Sequence, residues 1–406
     1  MNGIADQVWV RKMNRSLILK TLRTSHTLSR ARLASETGLN PSTVSKIIND
    51  LLNENLVMET HLYQPDIGRP SRLLELNPSG GCALGVEINV DYLLAILTDF
   101  TANILWRKRV EINPKGGQQI ILSEIEALIS NGLHTEQASG LQVLGISVGV
   151  PGLVDYRSGY LKIAPNLHWQ DVPILDFLKE RFDIPIFVEN EANAAALGEY
   201  YFGAARGVEN FIYLSAGVGL GGGIVIDGKL FRGSFGYASE VGHVTFDVDG
   251  ELCGCGKRGC WETFVGPRAV ERRVRRTLRA GTEGNSIMRD MADGNLEQIT
   301  FHMVHKAAHN GDKVAVAALH EVGRYLGIGI ANLLNIFNPE MIVLGGVLNQ
   351  ASSIILPVVQ ETVKANTLSP NRENVDIVAS VHGTDASVMG AVAIVLDEFL
   401  REPVLV

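Results

Sequence analysis

Three cysteines and one histidine lie close together in the stretch Glu240–Glu262. The cysteines follow the pattern Cys253-x-Cys255-x4-Cys260, and His243 lies ten residues before Cys253. Three thiolates and one imidazole form a ligand set that a closed, tetrahedral zinc site accepts. The stretch therefore predicts a structural zinc ion held by these four side chains.

Glycines at positions 254, 256 and 259 let this short loop turn its sulfurs toward one point, because glycine tolerates positive φ. Two alternatives to the metal are a disulfide and unliganded core thiols. The odd trio of cysteines in this stretch argues against a disulfide framework. So does the chain start, MNGIADQVWVRK, which has no apolar segment of a secretory signal. We therefore expect a cytoplasmic protein.

The same stretch resembles a signature of the ROK family (repressors, open reading frames, kinases). It reads Glu-Val-Gly-His at 240–243 and Cys-x-Cys-Gly-x-x-Gly-Cys-Trp-Glu at 253–262. The resemblance implies that the zinc-liganding His243 also contacts a bound sugar, and that Glu240 and Glu262 accept protons from its hydroxyls. Fixed carboxylates and an imidazole locked by a metal suit such a ligand.

Three more positions match sugar-contacting residues of the family, namely Asn166, Asn190 and Glu191. For the two asparagines the alternative is a structural role, since asparagine often caps helices and closes turns. Trp169 either shields the sugar or belongs to the core.

The charge is unevenly distributed along the 406 residues. The formal net charge is −8, yet residues 1–80 hold ten Lys and Arg against seven Asp and Glu. A mildly basic head on an acidic body is typical of a local DNA-binding module rather than of general polyanion binding. The apolar run Phe211–Ile226 is rich in glycine and too short to cross a bilayer, so we expect no membrane partner.

The head has the pattern of a helix-turn-helix. A helix is predicted from about Asn14 to Arg23, and a second begins after Ser29 and ends at Gly38. Asn40 and Pro41 then start a third helix, as N-cap and first-turn proline. Small polar residues at the start of this third helix are typical of a helix that reads DNA.

Residues 57–76 alternate like a hairpin and would form a wing. We expect base contacts from Ser42, Thr43, Ser45, Lys46 and Asn49, and phosphate or minor-groove contacts from Arg69 and Arg72. The alternative is a small helical protein-interaction domain. Within the ROK family, the head resembles that of the xylose-operon repressors, whereas the kinases of the family lack it.

The remaining chain reads as a two-lobed α/β body. Three strands, a helix and a strand follow Cys82, and a similar order returns from Phe211. This order is typical of the actin/hexokinase-like (ribonuclease H-like) fold. We predict a winged helix-turn-helix domain at 1–80, a first lobe at 81–200 completed by a C-terminal helix within 386–406, and a second lobe at 201–385.

Two departures from the kinases of the family argue against phosphoryl transfer. The resemblance implies an Asn-Asp pair whose aspartate acts as the base, but this chain has Asn190-Glu191. The kinases also hold ATP with an Asp-x-Gly-Gly-Thr loop, whereas residues 87–91 read Glu-Ile-Asn-Val-Asp and lack the glycines.

We therefore predict a non-enzymatic, sugar-responsive repressor that binds operator DNA as a homodimer or homotetramer. Its effector would be xylose or glucose, and an N-acetylated sugar is a further alternative. The alternatives are an ATP-dependent sugar kinase with an accessory DNA-binding head, and a module that is sequestered by a sugar-transport protein.

Overall fold

The computed structural model describes residues 7–63, 71–113, 116–281, 286–372 and 374–401. Within them the chain forms an N-terminal group of helices and strands followed by two α/β groups. Each α/β group contains a mixed five-stranded sheet. The prediction of an α/β body is thus confirmed.

The N-terminal group contains three helices and three strands: α1 (Gln7–Ser25), β1 (Leu28–Ser29), α2 (Arg30–Thr37), α3 (Pro41–Asn53), β2 (Val57–Tyr63) and β3 (Ser71–Leu76). The strands form one antiparallel sheet in the order β1-β3-β2. Ser29 caps α2 by accepting a hydrogen bond from the Arg32 backbone, and Asn40 caps α3. Gly38 ends α2 at φ 68°, where glycine carries no steric cost. The helix ends therefore lie where the capping residues predicted them.

The first α/β group is built on a sheet with the strand order β11-β7-β4-β5-β6. Its elements are β4 (Cys82–Ile88), β5 (Tyr92–Asp99), β6 (Ile104–Glu111), α4 (Gln118–Leu133), β7 (Val143–Val150), β8 (Leu153–Asp155), β9 (Tyr160–Ala164), β10 (Trp169–Pro173), α5 (Ile174–Lys179), β11 (Ile186–Asn190) and α6 (Glu191–Phe202). Strands β8, β9 and β10 form a separate antiparallel sheet that the sequence analysis did not predict. Trp169 is 4% exposed within the core of this group, so its role is structural.

The second α/β group repeats this design with the strand order β14-β13-β12-β15-β16. Its elements are β12 (Phe211–Ala216), β13 (Leu220–Ile226), β14 (Lys229–Leu230), α7 (Pro267–Ala280), α8 (Ile287–Met291), α9 (Phe301–His309), α10 (Lys313–Phe337), β15 (Met341–Gly345), α11 (Ser352–Asn366), α12 (Ser369–Arg372) and β16 (Asp376–Ala379). In each sheet three neighbouring strands run parallel. A fourth strand pairs antiparallel with one edge of these three, and a fifth pairs antiparallel with the fourth. The faint internal duplication in the sequence is therefore plain in the topology.

The last helix, α13 (Ala386–Phe399), returns to the first α/β group as predicted and packs on β4, β7 and α6. The two helices cross at glycines. A Cβ built at Gly390 would lie 1.7 Å from the Ala194 carbonyl oxygen, and one at Gly198 would lie 2.6 Å from the Ala386 carbonyl oxygen. Backbone therefore packs directly on backbone at this crossing.

The N-terminal group shares a hydrophobic core with α13. Ile18 and Leu22 of α1 are in the same buried cluster as Val392 and Leu396 of α13. Ser16 also donates a hydrogen bond to the backbone carbonyl of Leu400. The N-terminal group is thus packed on the end of the chain.

The domain division stays a prediction, although the positions of its boundaries are now visible. The boundary at 385/386 coincides with the start of α13, whereas the boundary at 200/201 falls inside α6. By length and composition alone, α10 is the one described helix that could cross a membrane. In the most apolar 18-residue stretch of α10, 61% is buried, and most of the buried residues of this helix belong to the core of the second α/β group. The run Phe211–Ile226, singled out in the sequence, forms the strands β12 and β13.

Candidate functional site

A cavity of about 380 Å³ lies between the two α/β groups. Both groups supply its walls, including the end of β4, the loop before β10, the start of α6, the β12–β13 turn and the start of α13. All six predicted sugar residues line it: Asn166, Asn190, Glu191, Glu240, His243 and Glu262. The volume lies within the range of small-molecule sites.

Asn190 has the structural role that the sequence analysis weighed as its alternative. Its Oδ1 caps α6 by accepting hydrogen bonds from the backbone N–H groups of Ala192 and Asn193, and its Nδ2 donates to the Gly152 carbonyl at 2.9 Å. The amide is therefore held between the turn after β7 and the first turn of α6. This holds the next residue, Glu191, at the cavity wall.

Asn166 lies in the turn between β9 and β10 and reaches toward the second α/β group. A Cβ built at Gly219 would lie 3.8 Å from its Nδ2, and one at Gly254 would lie 3.9 Å from its Oδ1. Its amide is thus close to both the β12–β13 turn and the cysteine loop.

The four predicted metal ligands converge. One ligand atom from each of His243, Cys253, Cys255 and Cys260 lies within 4.8 Å of the others. Cys255 Sγ and Cys260 Sγ are 3.6 Å apart, and His243 Nδ1 is 3.6 Å from Cys253 Sγ. Tetrahedral zinc with Zn–S bonds of about 2.3 Å separates two sulfurs by about 3.8 Å. The cluster can therefore hold a metal ion of this size.

The loop that carries the cysteines depends on two of its three glycines for its shape. Gly256 and Gly259 have φ of 86° and 64°, and a Cβ at Gly259 would lie 1.5 Å from the Asp247 carbonyl oxygen. Trp261 anchors the loop by donating its Nε1–H to the Tyr325 carbonyl of α10 at 3.0 Å. The cysteine loop is thus attached to the core of the second α/β group.

Glu262 connects the metal cluster to the cavity. Its Oε1 is 2.7 Å from Cys253 Sγ, and its Oε2 accepts from the Leu220 backbone N–H at 3.4 Å. A Cβ at Gly219 would lie 2.6 Å from Oε2, so the β12–β13 turn leaves room for this carboxylate only because position 219 is glycine.

Glu87, at the end of β4, also lines the cavity but was not among the predicted sugar-binding residues. It is 3% exposed, and its Oε1 accepts hydrogen bonds from Asn89 Nδ2 at 3.0 Å and from the Tyr92 hydroxyl at 3.2 Å. Arg109 covers the Tyr92 ring at 3.7 Å. The available signal was a single carboxylate in an otherwise apolar, fully buried strand.

The carboxylates Glu87 and Glu240 are both close enough to Glu191 to raise its pKa. Burial raises the pKa of Glu87 to about 7, against hydrogen bonds from Asn89 and Tyr92 that lower it. Burial, followed by the charges of Glu87 and Glu240, raises the pKa of Glu191 to about 8. Burial also raises the pKa of Glu240. The cavity is therefore acidic in character and suited to a ligand rich in hydrogen-bond donors.

The predicted DNA contacts in α3 lie on one side of the N-terminal group. Ser42, Lys46 and Asn49 are exposed, while Thr43 and Ser45 are half-buried. The opposite side of α3 is buried through Val44, Ile47, Ile48 and Leu51. Arg69 lies outside the described residues.

Arg72, at the start of β3, belongs to a charged cluster. Its guanidinium donates to Glu59 of β2 at 3.0 Å. The other oxygen of Glu59 accepts from Arg30 at 3.1 Å, and Arg30 also donates to Asn49 Oδ1 at 3.1 Å. The Glu59 carboxylate thus connects the first residue of α2 with the β2–β3 hairpin, and Arg30 extends this cluster to the exposed side of α3.

Comparison with known proteins extends these findings. A sequence profile of the ROK family matches residues 83–398. A xylose repressor of Caldicellulosiruptor bescii is 34% identical over 400 residues, which cover 98% of this chain and 99% of that protein.

Two solved structures are also similar. One is a ROK family transcriptional regulator, a homolog of the E. coli MLC protein, with a TM-score of 0.81 and 29% identity over 96% of this chain and 98% of that one. The other is a ROK family glucokinase from Streptomyces griseus in complex with glucose and AMPPNP, with a TM-score of 0.71 and 33% identity. That likeness covers 77% of this chain and 99% of the glucokinase. The chain therefore belongs to the ROK family, as its cysteine loop predicted.

Proposed function

We propose that this protein is a sugar-responsive, DNA-binding transcriptional repressor with a winged helix-turn-helix head on a two-lobed, actin/hexokinase-like body. One observation carries the proposal. The similarity to a xylose repressor spans 98% of the chain and includes the N-terminal group, whereas the similarity to a glucokinase spans 77%. The additional part that matches the repressor is the N-terminal group, which is built like a DNA-binding module.

In this proposal α3 enters the major groove. Its exposed side carries Ser42, Lys46 and Asn49, which offer hydrogen bonds to base edges and a charge for phosphate. The β2–β3 hairpin forms the wing, from which Arg72 reaches a phosphate. Two such heads, brought together in a homodimer or homotetramer, would read two half-sites of an operator.

Zinc is the metal that we assign to the cluster of His243 and the three cysteines. Three thiolates with one imidazole in a closed site is a structural zinc set, because no position is left for a reacting water. Since the Nδ1 edge of His243 faces Cys253 Sγ, its Nε2 edge remains for the ligand. When bound, zinc fixes the orientation of the histidine that the sugar contacts.

The sugar would lie among Asn166, Glu191, Glu240, His243 and Glu262. Carboxylates accept hydrogen bonds from sugar hydroxyls, and the Asn166 amide can both donate and accept. Asn190 acts mainly by holding α6 in place, because its amide oxygen already caps the helix. The cavity walls come from both α/β groups, so a sugar that prefers one arrangement of the groups shifts the population toward it.

Phosphoryl transfer is opposed by the turn between β4 and β5. The Asn89 backbone N–H donates to the Tyr92 carbonyl at 2.9 Å, and the Val90 N–H bonds the Asn89 side chain at 2.7 Å. These amides are therefore occupied within the turn, while Glu87 and Asp91 bring negative charge to the cavity wall. A phosphate would therefore find neither of these two amides free, and it would meet carboxyl groups at the same wall.

A second candidate, an ATP-dependent sugar kinase with an accessory head, is favoured by one observation. The raised pKa of Glu191, about 8, is in the range that suits a general base near neutral pH. Glutamate in place of aspartate moves the carboxylate by about 1 Å, however, and such a displacement lowers a rate by about a hundredfold.

The test is fluorescence anisotropy on DNA from upstream of the protein's own gene, at fixed salt because salt alone shifts such affinities. Xylose, glucose and N-acetylglucosamine are added in turn. We expect specific binding that one sugar changes at least fivefold. Sugar-dependent ATP hydrolysis without specific DNA binding would reject the repressor in favour of the kinase.

A further inference from the structure

Two polar atoms at the cavity wall have no hydrogen-bond partner among the described residues. Glu87 uses Oε1 for Asn89 and Tyr92, but its Oε2 is buried and unpartnered. The Oγ of Ser387, a residue that is 8% exposed, is also buried and unpartnered. Both residues line the cavity. Buried polar atoms usually have partners, so these two atoms in one cavity wall offer hydrogen-bonding positions that a ligand group can fill.

The two side chains lie on the same side of the first sheet. Glu87 of β4 is in register with Gly149 of the parallel strand β7, so side chains at these two positions point to one face. A Cβ built at Gly149 would lie 2.9 Å from Ser387 Oγ. The Ser387 hydroxyl therefore lies over the face from which the Glu87 side chain emerges, and glycine at 149 leaves room for that hydroxyl.

The charges at this wall select the kind of group that fits. Among the described residues, Arg109 is the only lysine or arginine that lines the cavity. Its guanidinium lies 3.7 Å from the centre of the Tyr92 ring and donates a hydrogen bond to Glu111 at 2.8 Å. A phosphate or carboxylate would meet Glu87 and Glu191 without a free cation. A hydroxyl, in contrast, can donate to a carboxylate oxygen and accept from a serine hydroxyl.

We propose that Glu87 and Ser387 form a second polar subsite of the cavity, which binds an uncharged hydroxyl group of the sugar rather than a phosphate or carboxylate. The subsite rests on the proposed function, since it requires a sugar in the cavity. It adds a contact on the wall formed by β4 and the start of α13, which no family signature residue of this chain occupies.

The test is isothermal titration calorimetry on the full-length, zinc-loaded protein with xylose, glucose and N-acetylglucosamine. We expect Ser387→Ala to weaken the sugar that binds by about fivefold and Glu87→Gln by about tenfold. The matched control is Ser147→Ala, because Ser147 is also buried and its Oγ has no partner among the described residues, but it does not line the cavity. The sugar affinity of Ser147→Ala should equal that of the unmodified protein.

Monodeoxy forms of the bound sugar provide a readout from the ligand side. One of them should bind the unmodified protein more weakly than the parent sugar, and the ratio of the two affinities should fall about fivefold in Ser387→Ala, which has already lost one of the two hydrogen bonds to that hydroxyl. If Glu87→Gln fails to fold, as checked by circular dichroism and zinc content, the comparison of parent and deoxy sugars on the unmodified protein and Ser387→Ala tests the subsite by itself.

Failure of the subsite and failure of the proposed function give different results. If the unmodified protein binds a sugar while Ser387→Ala binds it as tightly as Ser147→Ala, and no deoxy sugar separates them, the subsite is wrong and the function stands. If the unmodified protein binds none of the sugars, the proposed function fails, and the subsite is rejected with it.

Discussion

Arg23 and Asp397, which are 374 residues apart in the chain, form an ion pair of 3.1 Å between the first and the last helix. Asp397 also accepts a hydrogen bond from the Tyr201 hydroxyl at 2.7 Å, and the Arg23 guanidinium lies 4.0 Å from the centre of the Tyr201 ring. Since Tyr201 belongs to α6, three helices meet in this cluster. The first residue of α6 is Glu191, so a single helix connects the cavity wall to the base of the N-terminal group.

This junction predicts that Asp397→Asn uncouples sugar from DNA. Asp397 does not line the cavity, so sugar affinity should stay within twofold of the unmodified protein. The factor by which sugar changes operator affinity should fall, because the substitution removes a contact that connects the two sites. A typical coupling free energy between two sites is about 1–3 kcal/mol. Anisotropy with and without sugar measures this factor.

The control for the junction is Glu398→Gln, which changes a neighbouring carboxylate that pairs only with Arg401 among the described residues. It should leave the coupling unchanged. An unchanged coupling factor in Asp397→Asn itself would show that the signal does not pass through this cluster.

Removal of one cysteine ligand should cost both metal and sugar. In Cys255→Ser or Cys260→Ser the cluster loses a thiolate, and His243 loses the ion that fixes its ring at the cavity. Metal analysis should show less than one zinc per chain, and calorimetry should show sugar affinity at least tenfold weaker. Cys82→Ala, which changes the cysteine outside the cluster, should retain zinc. Full sugar affinity in a zinc-free variant would separate the two sites.

Glu191 should make stability depend on pH. Its pKa is raised from 4.5 to about 8, so the folded state favours the protonated form and the unfolding free energy falls as pH rises through that window. Glu191→Gln removes this dependence. Urea unfolding should therefore show the variant gaining stability relative to the unmodified protein between pH 5 and pH 9. A difference that is constant with pH would mean that the carboxyl group titrates normally in the folded protein.

The cluster around Glu59 predicts opposite effects of two substitutions on DNA binding. Arg72→Ala should weaken binding to all sequences alike and reduce the salt slope by about one unit, as for the loss of one phosphate contact. Glu59→Gln should strengthen binding, since it removes a carboxylate that competes with phosphate for Arg30 and Arg72. A weaker Glu59→Gln complex with lower operator specificity would instead make Glu59 a residue that positions the wing.

The crossing of α6 and α13 should tolerate no side chain. In Gly390→Ala the new Cβ would clash with the Ala194 carbonyl, so the helices must separate. We expect a loss of about 3 kcal/mol or more in unfolding free energy, at the upper end for overpacked cores. Gly116→Ala is the control, because nothing lies within 4 Å of its Cβ position. Equal unfolding midpoints would show that the crossing can open without cost.

The sequence contained enough to predict the features that depend on local chemistry. Ser29, Gly38 and Asn40 act on the backbone next to them, so their capping roles were readable from residue type alone. The convergence of Cys253 and Cys260 was also predictable, because a short, glycine-containing loop limits where their sulfurs can go.

Features that depend on distant contacts were not readable. The role of Ser387 follows from the position of α13 over Gly149, and the sequence says nothing about that distance. Likewise, α1 begins at Gln7, whereas the predicted helix begins at about Asn14. None of residues 7–13 is buried, so this end of the helix is not part of the core. The β8–β10 sheet was missed because its strands are only three to five residues long.

The glycine crossing also determines how far a small event at the cavity can be felt. With backbone against backbone, α6 and α13 leave no layer of side chains at their crossing to absorb a displacement, so we expect the two helices to move together. The 12 residues of α6 span about 18 Å, and a tilt of about 10° at Glu191 therefore moves the Tyr201 end by about 3 Å. Under the proposed function, a shift of that size at the base of the N-terminal group would move α3 relative to its half-site on DNA.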